Sequence, residues 1–425
     1  MRVLFHVEPL LFHGRPHHYA ALLDFFIGLG DCLTTRGRLS HSAWEVRFLT
    51  NPALAQRAAD HHGIHASKLY AISERELREA VPLSSIDTIR VLQAAQDAQL
   101  LRKMADLYAS VVFDYRPDVI ITISPAPYLK LVFPGATILH VDGGLFSRDP
   151  LPHVFFLDPS GLFANSIIHT RAAELLALEA TSEDRQLLGN LQAEFRRRVL
   201  NGSPFFQMEM EARANFRRLM LLPLQFAGEF GFDLHCSYDR QGSYLLDVAQ
   251  RVSPDTAIIV SEHPTAIWLG DVIDPQTREY IGREYPNVIF APGAREGLHH
   301  VGQTLLHHVD AVACVSSSLG MQAVFFEKPL LALGNSQLEH YATWHSAEEF
   351  NRATPEARDF TAAMAWMMRH YYMPGCLAQQ ENRLASYVRA LAEKLVDNDV
   401  AQYPAFATDD LLLDALLTAS SIKAA

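Results

Sequence analysis

Short apolar runs and longer amphipathic segments alternate along the first part of the chain. The runs are rich in β-branched residues and have the length of buried strands, whereas the longer segments carry apolar residues at helical spacing. The predicted strands cover residues 2–6, 45–50, 119–123 and 137–141, and the predicted helices cover 19–29, 52–63 and 85–115. This alternation is typical of a parallel sheet covered by helices on both faces.

A charged helical stretch over residues 170–218 separates this part from a second alternation of the same kind. The second set of predicted strands covers 219–222, 256–261, 288–291, 311–315 and 329–333, and the helices cover 244–251, 276–285, 301–307, 319–326 and 409–417. We therefore expect an α/β fold with two Rossmann-like, doubly wound lobes that face a central cleft.

The same pattern predicts where the lobes begin and end. The N-terminal lobe with its helical connector is expected over residues 1–215 and the C-terminal lobe over 216–400. A C-terminal helix within 401–425 is expected to pack back on the N-terminal lobe. Ligands of such sheets bind beyond the carboxyl ends of the strands, so the loops that follow strands are the places to search for chemistry.

Composition excludes several classes of protein. The 425 residues are 49% hydrophobic and 20% charged, which excludes a disordered chain. The apolar runs are shorter than the roughly 18–20 residues that a membrane-spanning helix needs. A net charge of -12 argues against a nucleic-acid partner. The N-terminus lacks a signal-peptide pattern and the four cysteines form no CxxC pair, so we expect a cytoplasmic protein without disulfides.

A run of hydroxyl side chains follows the strand predicted over residues 311–315. Ser316, Ser317 and Ser318 lead into Gly320 and a helical pattern. Backbone N–H groups, the helix dipole and hydroxyls at a helix start favour an anion, and phosphate is the natural guest. The alternative is that one serine simply caps the helix.

Two other strands of the second lobe end in polar side chains. The strand over residues 256–261 is followed by Glu262, His263 and Pro264, and the strand over 219–222 by Gln225. An imidazole at this edge can donate to a phosphate or protonate a leaving group. A structural histidine in a proline turn is the alternative, and the nearby serine cluster favours the functional interpretation.

Several carboxylates lie on predicted loops after strands. Asp233 lies in the second lobe, and Asp142 with Gly143 and Asp158 lie in the first. Carboxylates that face a cleft are candidates for a nucleophile and a general base. For each one separately, a turn-forming aspartate before glycine or proline is the structural alternative.

The twenty histidines do not form a metal-binding motif. The pairs His299-His300 and His307-His308 lack a spacing that would place ligands around one ion, so no metal is expected. His13, Arg15, His17 and His18 follow the first predicted strand and are expected to face the cleft and hold an anionic or polyhydroxylated acceptor. No glycine-rich dinucleotide loop or P-loop is found.

Taken together, these segments resemble the bacterial capsule and lipopolysaccharide Kdo transferases, which are two-lobed GT-B glycosyltransferases that use CMP-Kdo. The resemblance rests on the order of four segments: Leu157-Asp158 through Asn165-Ser166, Pro223-Leu224-Gln225 with Asp233, Glu262-His263-Pro264, and the turn Ser316 to Gly320 with Glu327-Lys328-Pro329. It covers about residues 142–334 and is strongest for the retaining β-Kdo transferases of O-antigen or capsular glycans.

The resemblance implies a donor site in the second lobe. It would place His263 and the serines Ser316, Ser317 and Ser318 at the phosphate of CMP-Kdo, and Gln225 near the donor. Glu262 and Pro264 would belong to the donor site with His263, and Gly320 would belong to it with the serines. It implies Asp233 as a nucleophile that forms a covalent Kdo adduct and Asp158 as acid or base towards the acceptor. It also implies a metal-independent enzyme without a cofactor, with His13, Arg15, His17, His18, Asp142 and Gly143 on the acceptor side.

Elementary chemistry is consistent with this reaction. Kdo carries a carboxylate on its anomeric carbon, and loss of CMP leaves an oxocarbenium-like centre that a nearby carboxylate such as Asp233 can trap. A glycan acceptor on a lipid carrier would bring the protein to the inner membrane, and it could act in a larger polysaccharide assembly.

Four other functions fit parts of the pattern. A CMP-sialic acid transferase or a CDP-glycerol-type polymer transferase can also pair a His-Pro turn with a serine-rich loop. A noncatalytic polysaccharide-binding scaffold of the GT-B type would need none of the carboxylates. A histidine-rich metallohydrolase would hold a stoichiometric metal.

Overall fold

A computed structural model describes residues 1–9, 19–35, 43–82, 90, 93–225, 227, 229–263, 273–293, 298, 300–352, 354–356, 358–393 and 399–418. The chain divides into two compact units. Unit 1 comprises Met1–Gly143, Phe155–Ile167 and Arg369–Thr408, and unit 2 comprises Gly144–Val154, Ile168–Met368 and Asp409–Ala425.

Unit 1 is built on a seven-stranded sheet. Its strands are β1 (Arg2–His6), β2 (Glu45–Thr50), β3 (Leu69–Ala71), β4 (Val119–Thr122), β5 (Thr137–Gly143), β6 (Val154–Asp158) and β12 (Met373–Pro374). They lie in the order β12-β6-β5-β4-β1-β2-β3. The pairs from β3 to β5 are parallel, and β6 runs antiparallel to β5.

Helices cover both faces of this sheet. Neighbouring residues of a strand point to opposite faces, so the contacts of two successive residues of β1 show what covers each face. Leu4 packs in one core cluster with Met104 and Tyr108 of the helix Ala98–Val111. The next residue, Phe5, packs against Phe26, with 5.3 Å between the ring centroids. Unit 1 is therefore doubly wound, as the sequence predicts.

Unit 2 is built on a five-stranded parallel sheet. Its strands are β7 (Arg218–Pro223), β8 (Thr256–Ser261), β9 (Val288–Phe290), β10 (Ala311–Cys314) and β11 (Leu330–Ala332). They lie in the order β11-β10-β7-β8-β9. Nearly every residue of β7, β8 and β10 is buried, which agrees with their continuous apolar runs. The α/β class and the predicted pair of Rossmann-like units are confirmed.

The remaining bounds complete the architecture. Helices of unit 1 are Ala20–Thr35, Pro52–His62, Glu74–Ala80, Ala98–Val111, Tyr128–Val132, Gly375–Ala378 and Arg383–Glu393. Helices assigned wholly or largely to unit 2 are Ile167–Thr170, Ala172–Leu176, Ser182–Leu200, Phe206–Asn215, Phe230–Asp233, Gln241–Arg251, Pro275–Glu284, Val301–Leu305, Ser318–Phe325, Ala347–Arg352, Thr361–Trp366 and Asp409–Thr418.

One predicted helix is shorter in the structure. Of the stretch 85–115, only Ala98–Val111 is helical among the described residues, while 83–89, 91 and 92 lie outside them. The helix begins where Asp97 accepts hydrogen bonds from the N–H groups of Gln99 and Leu100, at 2.8 and 3.0 Å. A side-chain cap of this kind sets a helix start that apolar spacing does not reveal.

The unit boundaries differ from the predicted ones. The connector helices Ser182–Leu200 and Phe206–Asn215 cluster with unit 2, and residues 369–400 cluster with unit 1. The C-terminal helix Asp409–Thr418 packs on Ser182–Leu200, so both belong to unit 2. The chain thus crosses between units several times, and a linear sequence pattern does not record such crossings.

Among the described residues, no helix combines the length and the hydropathy that crossing a bilayer requires.

Candidate functional site

The serine turn after β10 is organised by the side chain of Gln225. Its Oε1 accepts hydrogen bonds from the N–H groups of Val315, Ser316 and Ser317, at 3.1, 3.0 and 3.2 Å. Its Nε2 donates to Ser316 Oγ at 2.9 Å. Three converging N–H groups form an anion-binding nest, and here an amide oxygen fills it. Gln225 therefore shapes the loop, a role that the sequence did not predict.

The three predicted phosphate-binding serines have different roles in the structure. Ser316 is 5% exposed, and its hydroxyl donates to the carbonyl of Gly231. Ser317 is the N-cap of the helix Ser318–Phe325 and accepts from Leu319 N at 3.3 Å. Ser318 is half-buried at the first helical position. The capping alternative thus holds for Ser317, and a phosphate-binding role for Ser318 stays a prediction.

Gly320 is needed for packing. A Cβ at this position would lie 2.5 Å from Leu338 Cδ1 and 2.8 Å from Cys314 Sγ. The residue is buried and brings the helix close to β10, and its predicted place in the donor site stays a prediction.

Asp233 lies in the short helix Phe230–Asp233 and not on an open loop. It is 5% exposed. Because Ser316 donates to Gly231 in the same helix, the structure brings Asp233 and the serine turn together in unit 2. Its role as a nucleophile stays a prediction.

His263 follows β8 by two residues and contacts a residue that the sequence did not single out. Arg148 Nη2 lies 2.7 Å from His263 Nε2. A guanidinium can only donate, so Nε2 accepts and the imidazole carries its proton on Nδ1. The neutral ring therefore has an Nδ1–H donor.

Arg148 was not predicted from the sequence because it lies between two strands of unit 1. The segment Gly144–Val154 nevertheless belongs to unit 2. An arginine between Asp142-Gly143-Gly144 and Asp149-Pro150 was the available signal, but the reach of its side chain to His263 depends on the tertiary fold.

Glu262 has a structural partner. Its carboxylate forms an ion pair with Arg278 of the helix Pro275–Glu284 and accepts from Ile273 N at 3.3 Å. Arg278 lies over the ring of Phe290, 4.9 Å from its centroid. These contacts support the β8 loop, and a donor-binding role for Glu262 stays a prediction. Pro264 lies outside the described residues.

Asp158 ends β6 in unit 1 and is fully buried. Its Oδ1 accepts from the N–H groups of Ser160 and Gly161, at 2.7 and 3.4 Å, and its Oδ2 accepts from Ile167 N at 2.8 Å and Tyr371 Oη at 2.9 Å. Burial raises the pKa of the carboxyl to about 6, and these hydrogen bonds oppose the rise. The geometry is that of a loop organiser, so an acid–base role would require these bonds to open.

The other predicted acceptor-side residues are only partly described. β5 runs on through Asp142 and Gly143, which were expected in a loop, and Asp142 accepts from Gly143 N at 2.7 Å. His13, Arg15, His17 and His18 lie outside the described residues. The acceptor role of all six stays a prediction.

A buried polar cluster at the carboxyl end of β1 was also missed from the sequence. Glu8 accepts from Tyr128 Oη at 2.6 Å and from Gln93 Nε2 at 3.0 Å. His6 lies 2.8 Å from Thr122 Oγ1 and 3.0 Å from Tyr108 Oη, and burial lowers its pKa to about 4. The signal available in the sequence was the presence of a histidine and a glutamate at the end of an apolar strand and just after it. The tyrosine and glutamine partners are distant in sequence.

No group of three or more histidine, cysteine, aspartate or glutamate side chains with metal-binding geometry is found in the described part of the chain.

Comparison with known proteins connects unit 2 to polysaccharide synthesis. Residues 185–377 match the family described as capsule polysaccharide biosynthesis protein. The chain is thus similar to these proteins over a segment that contains Gln225, Asp233, Glu262, His263, Ser316, Ser317, Ser318 and Gly320. No curated protein gives a significant match.

Solved structures that align with the chain are distant. KpsC β-Kdo 2,7 transferase of Thermosulfurimonas dismutans shares 13% identity with a TM-score of 0.42, covering 66% of this chain and 83% of that one. The β-Kdo 2,4 transferase of the same KpsC shares 17% with a TM-score of 0.32, covering 54% and 71%. UDP-GlcNAc 2-epimerase of Neisseria meningitidis shares 12% with a TM-score of 0.30, covering 99% and 100%.

Proposed function

We propose that this protein is a metal-independent glycosyltransferase that moves Kdo from CMP-β-Kdo to a glycan acceptor of capsule or O-antigen. One observation carries the proposal: the segment that matches capsule polysaccharide biosynthesis proteins contains Asp233, His263 and Ser318, all in unit 2. The choice of Kdo rests on the motifs that resemble β-Kdo transferases.

The donor phosphate is placed at the carboxyl edge of the unit 2 sheet. The helix Ser318–Phe325 starts there, and its first turn adds a hydroxyl and the positive end of the helix dipole. His263 contributes an Nδ1–H donor. Donors fixed in advance stabilise the charge that develops on the departing CMP phosphate.

Asp233 performs the first displacement in this proposal. Its carboxylate attacks the anomeric carbon of Kdo as the bond from that carbon to the phosphate oxygen breaks, and CMP leaves with the bonding electron pair. An acceptor hydroxyl then attacks the same carbon, its proton passes to solvent water, and the bond from that carbon to the carboxylate of Asp233 breaks. Two inversions give net retention.

The experiment measures the release of CMP when the protein is incubated with CMP-Kdo, CMP-sialate or CDP-glycerol. We expect turnover with CMP-Kdo only. Asp233→Asn is expected to lower the rate by a factor of about 10³ or more. Asp239→Asn is the matched control, because it makes the same change at an exposed aspartate six residues after Asp233.

Mass spectrometry after exposure to CMP-Kdo without acceptor tests the intermediate. A Kdo adduct on the peptide that contains Asp233 supports the mechanism. Turnover with another donor, or equal rates for wild type and Asp233→Asn, contradicts the proposal. The absence of any turnover would favour the noncatalytic scaffold.

A further inference from the structure

Arg148 is a partly buried cation that has no carboxylate partner among the described residues. Its one side-chain contact is the hydrogen bond to neutral His263, and no aspartate or glutamate oxygen lies within ion-pair distance of it in the described structure. Burial lowers its pKa, and no neighbouring charge is among the causes. An arginine stays protonated at neutral pH, so its charge is left uncompensated.

Other arginines of unit 2, unlike Arg148, form ion pairs with carboxylates. Arg278 pairs with Glu262, and Arg213 pairs with Glu209 and Asp310 at 2.8 and 3.1 Å. Burying a charge without a counter-charge costs free energy, and such a group persists where a ligand supplies the missing partner. Most of the five guanidinium N–H donors of Arg148 remain available to an anion.

The segment that carries Arg148 is fixed firmly to the elements that form the donor site. Gln322 of the helix Ser318–Phe325 donates to Leu145 O at 2.8 Å. Gln303 of the helix Val301–Leu305 donates to the carbonyls of Arg148 and Asp149, each at 3.3 Å. Both glutamines are almost fully buried.

A glycine brings the same elements close together. A Cβ on Gly302 would lie 2.6 Å from Leu319 Cδ1 and 3.1 Å from Ser261 Oγ. Leu319 is in the first turn after the serine cap, and Ser261 ends β8 two residues before His263. Arg148, His263 and the start of the serine helix therefore converge on one region of unit 2.

We propose that Arg148, held by Gln303 and paired with His263, binds the anionic group of the nucleotide-sugar donor. The inference rests on the proposed function only in naming that donor. A phosphate and a sugar carboxylate present the same chemistry, two oxygens that a guanidinium can bind in a fork. Binding would supply the counter-charge that the protein itself does not provide.

The experiment compares wild type with Arg148→Met and Arg148→Lys by calorimetric titration with CMP, cytidine, CMP-Kdo and inorganic phosphate. We expect Arg148→Met to weaken CMP binding by about 10- to 100-fold, the range of a charge-assisted hydrogen bond, and to leave cytidine within about twofold. Arg148→Lys keeps the charge but loses the fork, so its affinity should be intermediate. A larger loss for CMP-Kdo than for CMP identifies the carboxylate as the bound group, and equal losses identify the phosphate.

Thermal stability separates ligand binding from a structural role. Arg148→Met removes an uncompensated charge, so the ligand-free melting temperature should be unchanged or higher. Arg213→Met is the matched control: it removes the arginine that pairs with Glu209 and Asp310, so it should melt lower and keep its CMP affinity.

Two results would overturn the inference: equal affinities of wild type and Arg148→Met for CMP, phosphate and CMP-Kdo, or a parallel loss for CMP and cytidine with a lower melting temperature. Its failure is distinguishable from that of the proposed function. Phosphate binding that depends on Arg148 without turnover of CMP-Kdo contradicts the function alone. Turnover of CMP-Kdo with normal binding of both CMP and CMP-Kdo in Arg148→Met contradicts the inference alone.

Discussion

At the scale of single residues, Gln225 shows how one side chain can occupy backbone N–H donors that would otherwise be open to a ligand. The N–H groups of residues 315–317 point to a common centre, and Gln225 Oε1 occupies it. An anion at that centre would have to displace the amide. In the proposed function, the donor phosphate therefore binds at Ser318 and at the pair of Arg148 and His263.

Asp158 makes the stability of the protein depend on pH. Its pKa is raised from 3.8 in the unfolded chain to about 6 in the folded protein. A raised carboxyl pKa stabilises the fold at low pH, and that stabilisation is lost as the pH rises through 6. Relative to Asp158→Asn, wild type should therefore lose about 2 kcal/mol of unfolding free energy between pH 4 and pH 7, because a tenfold change in proton affinity corresponds to about 1.4 kcal/mol and the carboxyl of the unfolded chain is already partly ionised at pH 4. Urea unfolding at several pH values measures this difference.

Tyr371 provides an independent check of the cause. Its hydroxyl donates to Asp158 and lowers the pKa of the carboxyl, so Tyr371→Phe should move the transition to higher pH. Tyr372→Phe is the matched control, because that neighbouring buried tyrosine makes no hydrogen bond to Asp158 among the described contacts. A pH profile that is the same for wild type and Asp158→Asn would contradict the prediction.

At the scale of elements, the helix Ser318–Phe325 is positioned by a close approach at Gly320. An added methyl group would meet Leu338 and Cys314, both fully buried, with little room to move. Gly320→Ala is therefore expected to lower the free energy of unfolding by about 1–3 kcal/mol, the usual cost of overpacking. Chemical denaturation measures it.

Gly282→Ala is the control, because it replaces a helical glycine by alanine at a position where the added methyl group meets no other atom. Gly282 lies in the helix Pro275–Glu284, and nothing lies within 4 Å of an added Cβ. Alanine favours a helix over glycine, so this variant should gain up to about 1 kcal/mol. Equal effects of the two substitutions would show that contact at Gly320 does not position the helix.

At the scale of the whole molecule, the C-terminal helix stabilises unit 2. Leu412 and Leu416 are fully buried, and Arg198 donates to the carbonyl of Leu417. Removing residues 409–425 should cost about 3–6 kcal/mol from the two leucines alone. Hydrogen exchange should show faster exchange in the helix Ser182–Leu200, on which the C-terminal helix packs.

The β-sheet of unit 1 provides the internal control for this truncation. The C-terminal helix belongs to unit 2, so amides of β1 and β4 should keep their protection. Loss of protection confined to unit 1 would contradict the assignment of the helix.

The sequence by itself determined the strands and the α/β class. Alternating apolar runs and amphipathic segments located β1, β2 and β8 to the residue, because strands of a sheet covered on both faces are rich in apolar residues. The same rule located the strand-end loops and the residues Gln225, His263 and Ser316 to Ser318. Short or interrupted strands such as β3 and β12 escaped it, since three or fewer residues carry little pattern.

Only the tertiary structure decided what each polar residue does. Asp158 and Glu262 looked like site residues, but partners remote in sequence, Tyr371 and Arg278, give them structural tasks. Arg148 looked like a loop residue of the first lobe, and the fold places it against His263 in unit 2. Local sequence encodes burial and periodicity, whereas hydrogen-bond partners and uncompensated charges arise only when distant segments meet.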